Sequence, residues 1–249
     1  MKHEERAQLA RDIIARMVAK YPDDIVLGGV YGSTATGTDT EWSDLELQFV
    51  VRDGSKVRQK QFMFKDTAVG PFVLDQGKLE KRLTNPSPSW PFLMGVLSVL
   101  KVECGDPEQL QAWLRLGQAV PMEKFREALE ESLPGLVTES HGRIHSCIER
   151  GSLEDIGCAV IEVMFEMRDA LCLLNRRWVT HDYYQGLMQV CDFQKQPRRY
   201  KELVRALHAT QDPQELARLS DALVSDFWQF LAEEGIKVVN YTRAEDLPL

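Results

Sequence analysis

A chain of 249 residues, 44% hydrophobic and 27% charged, has the balance of a water-soluble globular protein and is long enough for one large domain or two ordinary ones. Its formal net charge of −8 argues against a protein that grips nucleic acid by neutralising phosphates, and suits a cationic small molecule better. No apolar run is long enough to cross a membrane and Met1 to Arg6 leads straight into an amphipathic segment, so a cytoplasmic protein is expected.

From Glu4 to Lys20, apolar residues recur at Leu9, Ile13 and Met17 and at Ile14 and Val18, one face of a helix that Pro22-Asp23-Asp24 ends. The run Ile25 to Tyr31 predicts a buried strand, Gly32 to Ser43 a polar loop, and Leu45 to Val51 a second strand. Strand-like material follows at Gln61 to Phe64 and Ala68 to Leu74, where Gly70-Pro71 is expected to interrupt pairing. Asn85 to Ser89 reads as a turn-rich linker. From about Pro107 onward the pattern is helical, with candidates over 107–117, 122–149, 153–175, 181–192, 198–209 and 213–234, the second bent or divided at Pro134. The fold class expected is α+β: an N-terminal domain, 1–121, with a small mixed sheet flanked by helices, and a C-terminal helical bundle, 122–249.

The chemistry-bearing residues lie on the first two strands. Alternation puts Asp44 and Glu46 on one side of the strand and Leu45 and Leu47 on the other, so two carboxylates converge. They would repel one another without a cation between them, and hard oxygen ligands suit Mg²⁺, which in turn suits a polyphosphate. Gly32 permits close backbone approach, and the Ser33 N–H and hydroxyl can grip phosphate oxygens. Each element alone is an ordinary turn or a solvated strand face. Together, on successive strands at this spacing, they favour a triphosphate site.

The run Gly28-Gly29-Val30-Tyr31-Gly32-Ser33, ten residues, then Asp44-Leu45-Glu46-Leu47 resembles the signature of the polymerase-beta-type nucleotidyltransferase superfamily, and within it the aminoglycoside 4'-O-nucleotidyltransferases that modify kanamycin. The likeness extends to Glu4-Glu5-Arg6, Lys20 to Asp24, Ser89-Trp90-Pro91 and the segment from Phe227-Trp228 onward. It implies an enzyme that transfers AMP from Mg-ATP to a 4'-hydroxyl of an aminoglycoside such as kanamycin, tobramycin or amikacin, releases pyrophosphate and gives antibiotic resistance. Asp44 and Glu46 would hold Mg²⁺, and Gly32 and Ser33 the triphosphate. Glu139 would be the general base, with Arg143, in place of the family's Lys, on the nucleotide phosphates. Thr180 would touch the nucleotide, with His181 one residue away as its rival. In the family the Glu139 segment comes from the neighbouring subunit, which implies a homodimer with active sites at the subunit interface.

The resemblance fails at two further points. The superfamily's third carboxylate belongs on the strand after the paired acids, where Pro71 or Phe72 stands; Asp66 and Asp75 are the displaced candidates. Thr36 also replaces an Arg near the phosphates. The alternatives kept open are transfer to another antibiotic or a protein hydroxyl, or a non-catalytic nucleotide-binding regulatory module. His141 and His145 have zinc-ligand spacing but no third ligand nearby in sequence, and read as surface or interface histidines. Glu162 and Glu166 share a helix face that suits either a polyamine pocket or a solvated charged surface. Trp90, Trp113, Trp178 and Trp228 read as core. Cys104, Cys147, Cys158, Cys172 and Cys191 form no C-x-x-C pair and read as reduced thiols.

Overall fold

A computed structural model describes residues 1–248. They form two compact units, one of Met1–Pro86 with Phe92–Val120, the other of Ser87–Pro91 with the chain from Pro121 onward. Among the described residues no helix is long and apolar enough to cross a membrane.

The first unit is α+β. Helix α1, His3–Lys20, buries Ala10 and Ile14 and half-buries Leu9, Ile13 and Met17 on the stripe its sequence marks out. The Tyr21 N–H closes its last turn on the Met17 carbonyl at 2.9 Å, and Pro22 stops propagation. Strand β1, Ile25–Val30, leads into a single-turn helix α2, Gly32–Thr36, where the sequence suggested loop. Strands β2, Leu45–Val51, β3, Phe62–Phe64, and β4, Thr67–Asp75, follow. Then come α3, Gln76–Thr84, α4, Trp90–Val99, strand β5, Lys101–Gly105, and α5, Pro107–Gln118. The sheet order is β3-β4-β2-β1-β5, mixed: β2 runs parallel to β4 and antiparallel to β1, and β5 pairs antiparallel with β1.

Two expectations are corrected here. Pairing between β2 and β4 is continuous in register from Leu45↔Val69 to Val51↔Asp75, straight through Gly70 and Pro71. β3 pairs with β4 only as far as Val69, so beyond that residue Pro71 can turn its donorless nitrogen to an edge where no strand requires it. The strand β5 was not foreseen. It approaches so closely that a Cβ at Gly29 would lie 2.3 Å from the Lys101 carbonyl oxygen.

Leu45, Leu47, Phe49 and Val51 of β2 face Ala10 and Ile14 in one core cluster. Full burial of Leu47 or Phe49 stabilises by about 1.5–3 kcal/mol each. The strand that carries Glu46 is therefore fixed by its own alternate residues.

The second unit is helical: α6, Met122–Ser132, α7, Thr138–Arg150, α8, Ile156–Asn175, α9, Tyr183–Val190, α10, Tyr200–Ala209, and α11, Pro213–Glu233. Helix α8 is buried nearly all round in its second half, at Met167, Ala170, Leu171, Cys172, Leu173 and Leu174, which makes it the central helix. The Pro134 break separates α6 from α7. Trp90 is buried edge-on against Phe125, ring centroids 4.7 Å apart, and Trp113 is buried in the first unit; Trp178 and Trp228 are half-buried. All five thiols are free.

Candidate active site

At the end of β1 the Tyr31 N–H donates to the Glu46 carbonyl at 3.2 Å, tying the turn to the start of β2. Gly32 then takes φ +65°, a conformation that disfavours any side chain. Space forbids one as well: a Cβ there would lie 1.8 Å from Glu46 Oε2. The Glu46 carboxylate thus rests directly on the backbone of the glycine-serine turn. The Thr36 hydroxyl donates back to the carbonyls of Gly32 and Ser33, each at 3.2 Å, and the Thr38 N–H to Ser33 O at 3.0 Å, so α2 is self-braced.

Asp44 is exposed at the residue before β2, and Glu46 is half-buried within it. The loop leading to Asp44 is held by a fully buried arginine. Arg6, 0% exposed, forms an ion pair with Asp39 and donates from Nη2 to the carbonyls of Met1 at 3.0 Å, Thr40 at 2.9 Å and Ser43 at 2.9 Å. Ser43 shares its peptide bond with Asp44, so this clamp acts one bond from the first acid. His3 Nδ1 adds a 2.6 Å contact to Asp39. Burial pushes the Asp39 carboxyl up, but the hydrogen bonds and charges of His3 and Arg6 outweigh it and hold the pKa below the ordinary 3.8.

Two residues here escaped the sequence reading. Trp42, two residues before Asp44, is 89% exposed. Its signal was location: it stands in a polar loop with no apolar partner at helical or strand spacing. Lys101, exposed, falls opposite Val30 in the β1–β5 register, at the end of the sheet where Gly32 begins. It was unreadable because β5 was.

Neither displaced candidate for a third acid occupies a β4 position beside Glu46. Asp66 occupies the β3–β4 turn at φ +60°, and Asp75 lies opposite Val51 at the far end of the strand, paired with Lys78 at 2.6 Å. The positions of β4 beside Glu46 and Gln48 are Gly70 and Phe72.

In the helical unit, Glu139 and Arg143 meet on α7 at 2.6 Å, and Arg143 also reaches Glu162 of α8 at 2.5 Å. The hydrogen bonds that Arg143 donates to Glu139, then to Glu162, raise its pKa further. Helix α7 starts from an unusual turn. Val137, buried, has φ 63° and ψ −49°, and the Thr138 N–H bonds to the Leu136 carbonyl at 2.6 Å, a γ-turn of the rare positive-φ kind. The Val137 N–H is taken by Glu166 at 2.8 Å. Glu162 and Glu166 are accordingly engaged separately, one on Arg143 and one on the start of α7. Thr180 belongs to a different bracket: its N–H donates to Gln189 Oε1 at 2.9 Å, its hydroxyl accepts from Gln189 Nε2 at 3.1 Å, and His181 Nδ1 lies 3.2 Å away.

No family model matches the chain. A 51-residue stretch, 20% of the chain, is 41% identical to the aminoglycoside nucleotidyltransferase (4') of Staphylococcus aureus, and equally to that of a Bacillus species. Over that stretch the chain is similar to a nucleotidyltransferase. The match spans 20% of those curated relatives' own length. Among solved structures, a nucleotidyltransferase-like protein from Exiguobacterium sibiricum aligns over 92% of this chain and 79% of its own, with a TM-score of 0.49 and 13% identity.

Proposed function

We propose that this chain is a nucleotidyltransferase that moves AMP from Mg-ATP to the 4'-hydroxyl of an aminoglycoside, conferring resistance to that antibiotic. The observation that carries the reading is the Glu46 carboxylate resting on Gly32, with Asp44 one strand period away and its loop clamped by Arg6. Two carboxylates on one side of a strand, one of them packed on a glycine that tolerates no Cβ, fit Mg²⁺, which takes few protein carboxylates and completes its shell with water and phosphate oxygens. Asp44 and Glu46 would hold the ion, which would supply charge neutralisation for the α-phosphate and the leaving pyrophosphate.

The chain's own residues divide the remaining work. Gly32 and Ser33 hold the triphosphate tail by backbone and hydroxyl donors. Glu139 accepts the proton of the acceptor hydroxyl as its oxygen bonds to the α-phosphorus, while the bond from that phosphorus to the β-phosphate bridging oxygen breaks and pyrophosphate leaves. Arg143 exchanges its carboxylate partners for phosphate oxygens, and Thr180 contacts the nucleotide. The homodimer belongs to the same proposal, with the helix bearing Glu139 supplied by the second subunit. The acidic balance of the chain suits a polycationic acceptor.

Purified protein with Mg-ATP and kanamycin, tobramycin or amikacin is expected to release pyrophosphate and yield an adenylylated drug by mass spectrometry. Pyrophosphate release with none of these drugs would remove the aminoglycoside, and release with a different antibiotic or a protein acceptor would replace it. One observation favours a second, non-catalytic reading: the β4 positions beside Glu46 and Gln48, Gly70 and Phe72, carry no carboxylate to serve as the superfamily's third acid. Nucleotide binding that is indifferent to Mg²⁺ in calorimetry, with no turnover, would select it.

A further inference from the structure

Helix α7 presents a second constellation on the face opposite Glu139 and Arg143, since a step of two residues turns a helix through about 200°. His141 and His145 project there at i, i+4, and α11 brings Asp221 to meet them. Nε2 of His141 lies 2.7 Å, and Nε2 of His145 2.9 Å, from the same carboxylate oxygen, Oδ1 of Asp221. The two Nε2 atoms are 3.3 Å apart. The ligand so far from the histidines in sequence is the one whose apparent absence made them read as surface residues.

We propose that His141, His145 and Asp221 form a site for one Zn²⁺ or a similar late first-row divalent ion, and that the ion staples α7 to α11. Tetrahedral zinc with bonds of about 2.0–2.1 Å sets neighbouring ligand atoms roughly 3.3–3.4 Å apart. The two imidazole nitrogens already have that separation, and the carboxylate oxygen needs to withdraw by only about half an ångström to match it. Three ligands, two nitrogen and one oxygen, leave a position for water; His145 and Asp221 are half-exposed, so the ion has a path in from solvent. Imidazole donors select against Mg²⁺, so the site is chemically distinct from the acid pair and does not depend on the transferase reading. The competing arrangement has both rings protonated on Nε2 and sharing one carboxylate oxygen as acceptor. The two differ in what they ask of Nε2: a proton in one, a lone pair in the other.

The consequence is local. Helix α7 begins at the strained Val137 turn, and its exposed face is held by the ion pairs of Arg143. A metal bridging α7 to α11 secures its opposite face and couples occupancy to the stability of the helix that carries Glu139.

Full-length protein stripped with chelator and dialysed into Mg²⁺-containing buffer should bind one equivalent of Zn²⁺ in calorimetric titration with ZnCl₂, and melt at higher temperature when loaded. His145→Asn and Asp221→Asn, both at half-exposed positions, should each weaken binding at least about ten-fold, a loss that even outer-shell partners of a metal cause. Co²⁺ in place of Zn²⁺ should give tetrahedral visible bands without thiolate charge transfer. The proposal is overturned if no saturable binding is seen, if binding survives both substitutions, or if the Co²⁺ spectrum shows a sulfur ligand from one of the free cysteines. It is equally overturned if the substitutions lower the melting temperature of metal-free protein as much as that of loaded protein, because the cluster would then be a hydrogen-bonded one.

Discussion

The two stretches that carry candidate chemistry are held in opposite ways. Around Asp44 and Glu46 the main ties are buried: alternate β2 residues in the core, the half-buried Glu46 packed on Gly32, and Arg6 with neither its side chain nor that of Asp39 open to solvent. Around Glu139 the ties are exposed ion pairs, Arg143 with Glu139 and with Glu162, on a helix that starts at a strained residue. Buried contacts do not exchange with a ligand, whereas exposed ion pairs are weak and open to a phosphate competitor. The first arrangement suits groups that must stay put, and the second suits groups that must trade partners when substrate arrives.

The sharpest way to test that contrast is to remove chemistry without removing structure. Asp44→Asn takes away the charge of a proposed metal ligand at an exposed position. Transfer should fall by about a thousand-fold or more, as the loss of several kcal/mol of transition-state stabilisation requires, with unfolding free energy within about 0.5 kcal/mol of the parent. A large drop in stability would mean that Asp44 is structural.

Arg6→Met does the reverse. It leaves Asp39 as a buried charge without its main partner and frees the carbonyls of Thr40 and Ser43, so chemical denaturation should show a loss of about 3–5 kcal/mol. The pH dependence has a definite sign. Because the folded pKa of Asp39 lies below 3.8, its contribution in the parent is complete above that pH and is lost as pH falls through the lower folded value. Urea titrations of the parent from neutral pH to pH 3 should place that loss below pH 4.

Glu139→Gln should lower turnover by about a hundred-fold or more, the usual worth of a general base, while leaving nucleotide affinity nearly intact. If affinity for Mg-ATP falls as far as turnover, Glu139 acts only by holding Arg143.

Much of this was legible in the chain because hydrophobic period survives translation into structure. The stripe of α1, the alternation of β2, and the helices α5, α8, α10 and α11 fall within a few residues of their expected bounds. What escaped was set by tertiary contact. Gly32 to Thr36 contains poor helix formers, and only its bracing by Thr36 makes a turn of helix. Strand β5 has a short, charged, half-exposed sequence whose pairing is decided by Gly28 and Gly29 letting it approach. Arg6 was visible only as part of a resemblance, since arginine is among the residues least expected to be fully buried. Asp221 could not be assigned to His141 and His145 without the packing of α11 on α7.

The smallest effect worth measuring concerns the start of α7. Glu166→Ala removes the acceptor of the Val137 N–H, leaving a buried donor unpaired beside a residue already at φ 63°. A cost of about 1–3 kcal/mol is expected in urea unfolding. If the exposed ties on Arg143 alone positioned Glu139, transfer would be unchanged at temperatures where the variant is folded. If the turn at Val137 sets the direction of the first helical residues, transfer should fall several-fold with Mg-ATP affinity preserved, because Glu139 lies only two residues beyond it. Repeating the assay on Glu162→Gln separates the two, since that change loosens Arg143 without touching the turn.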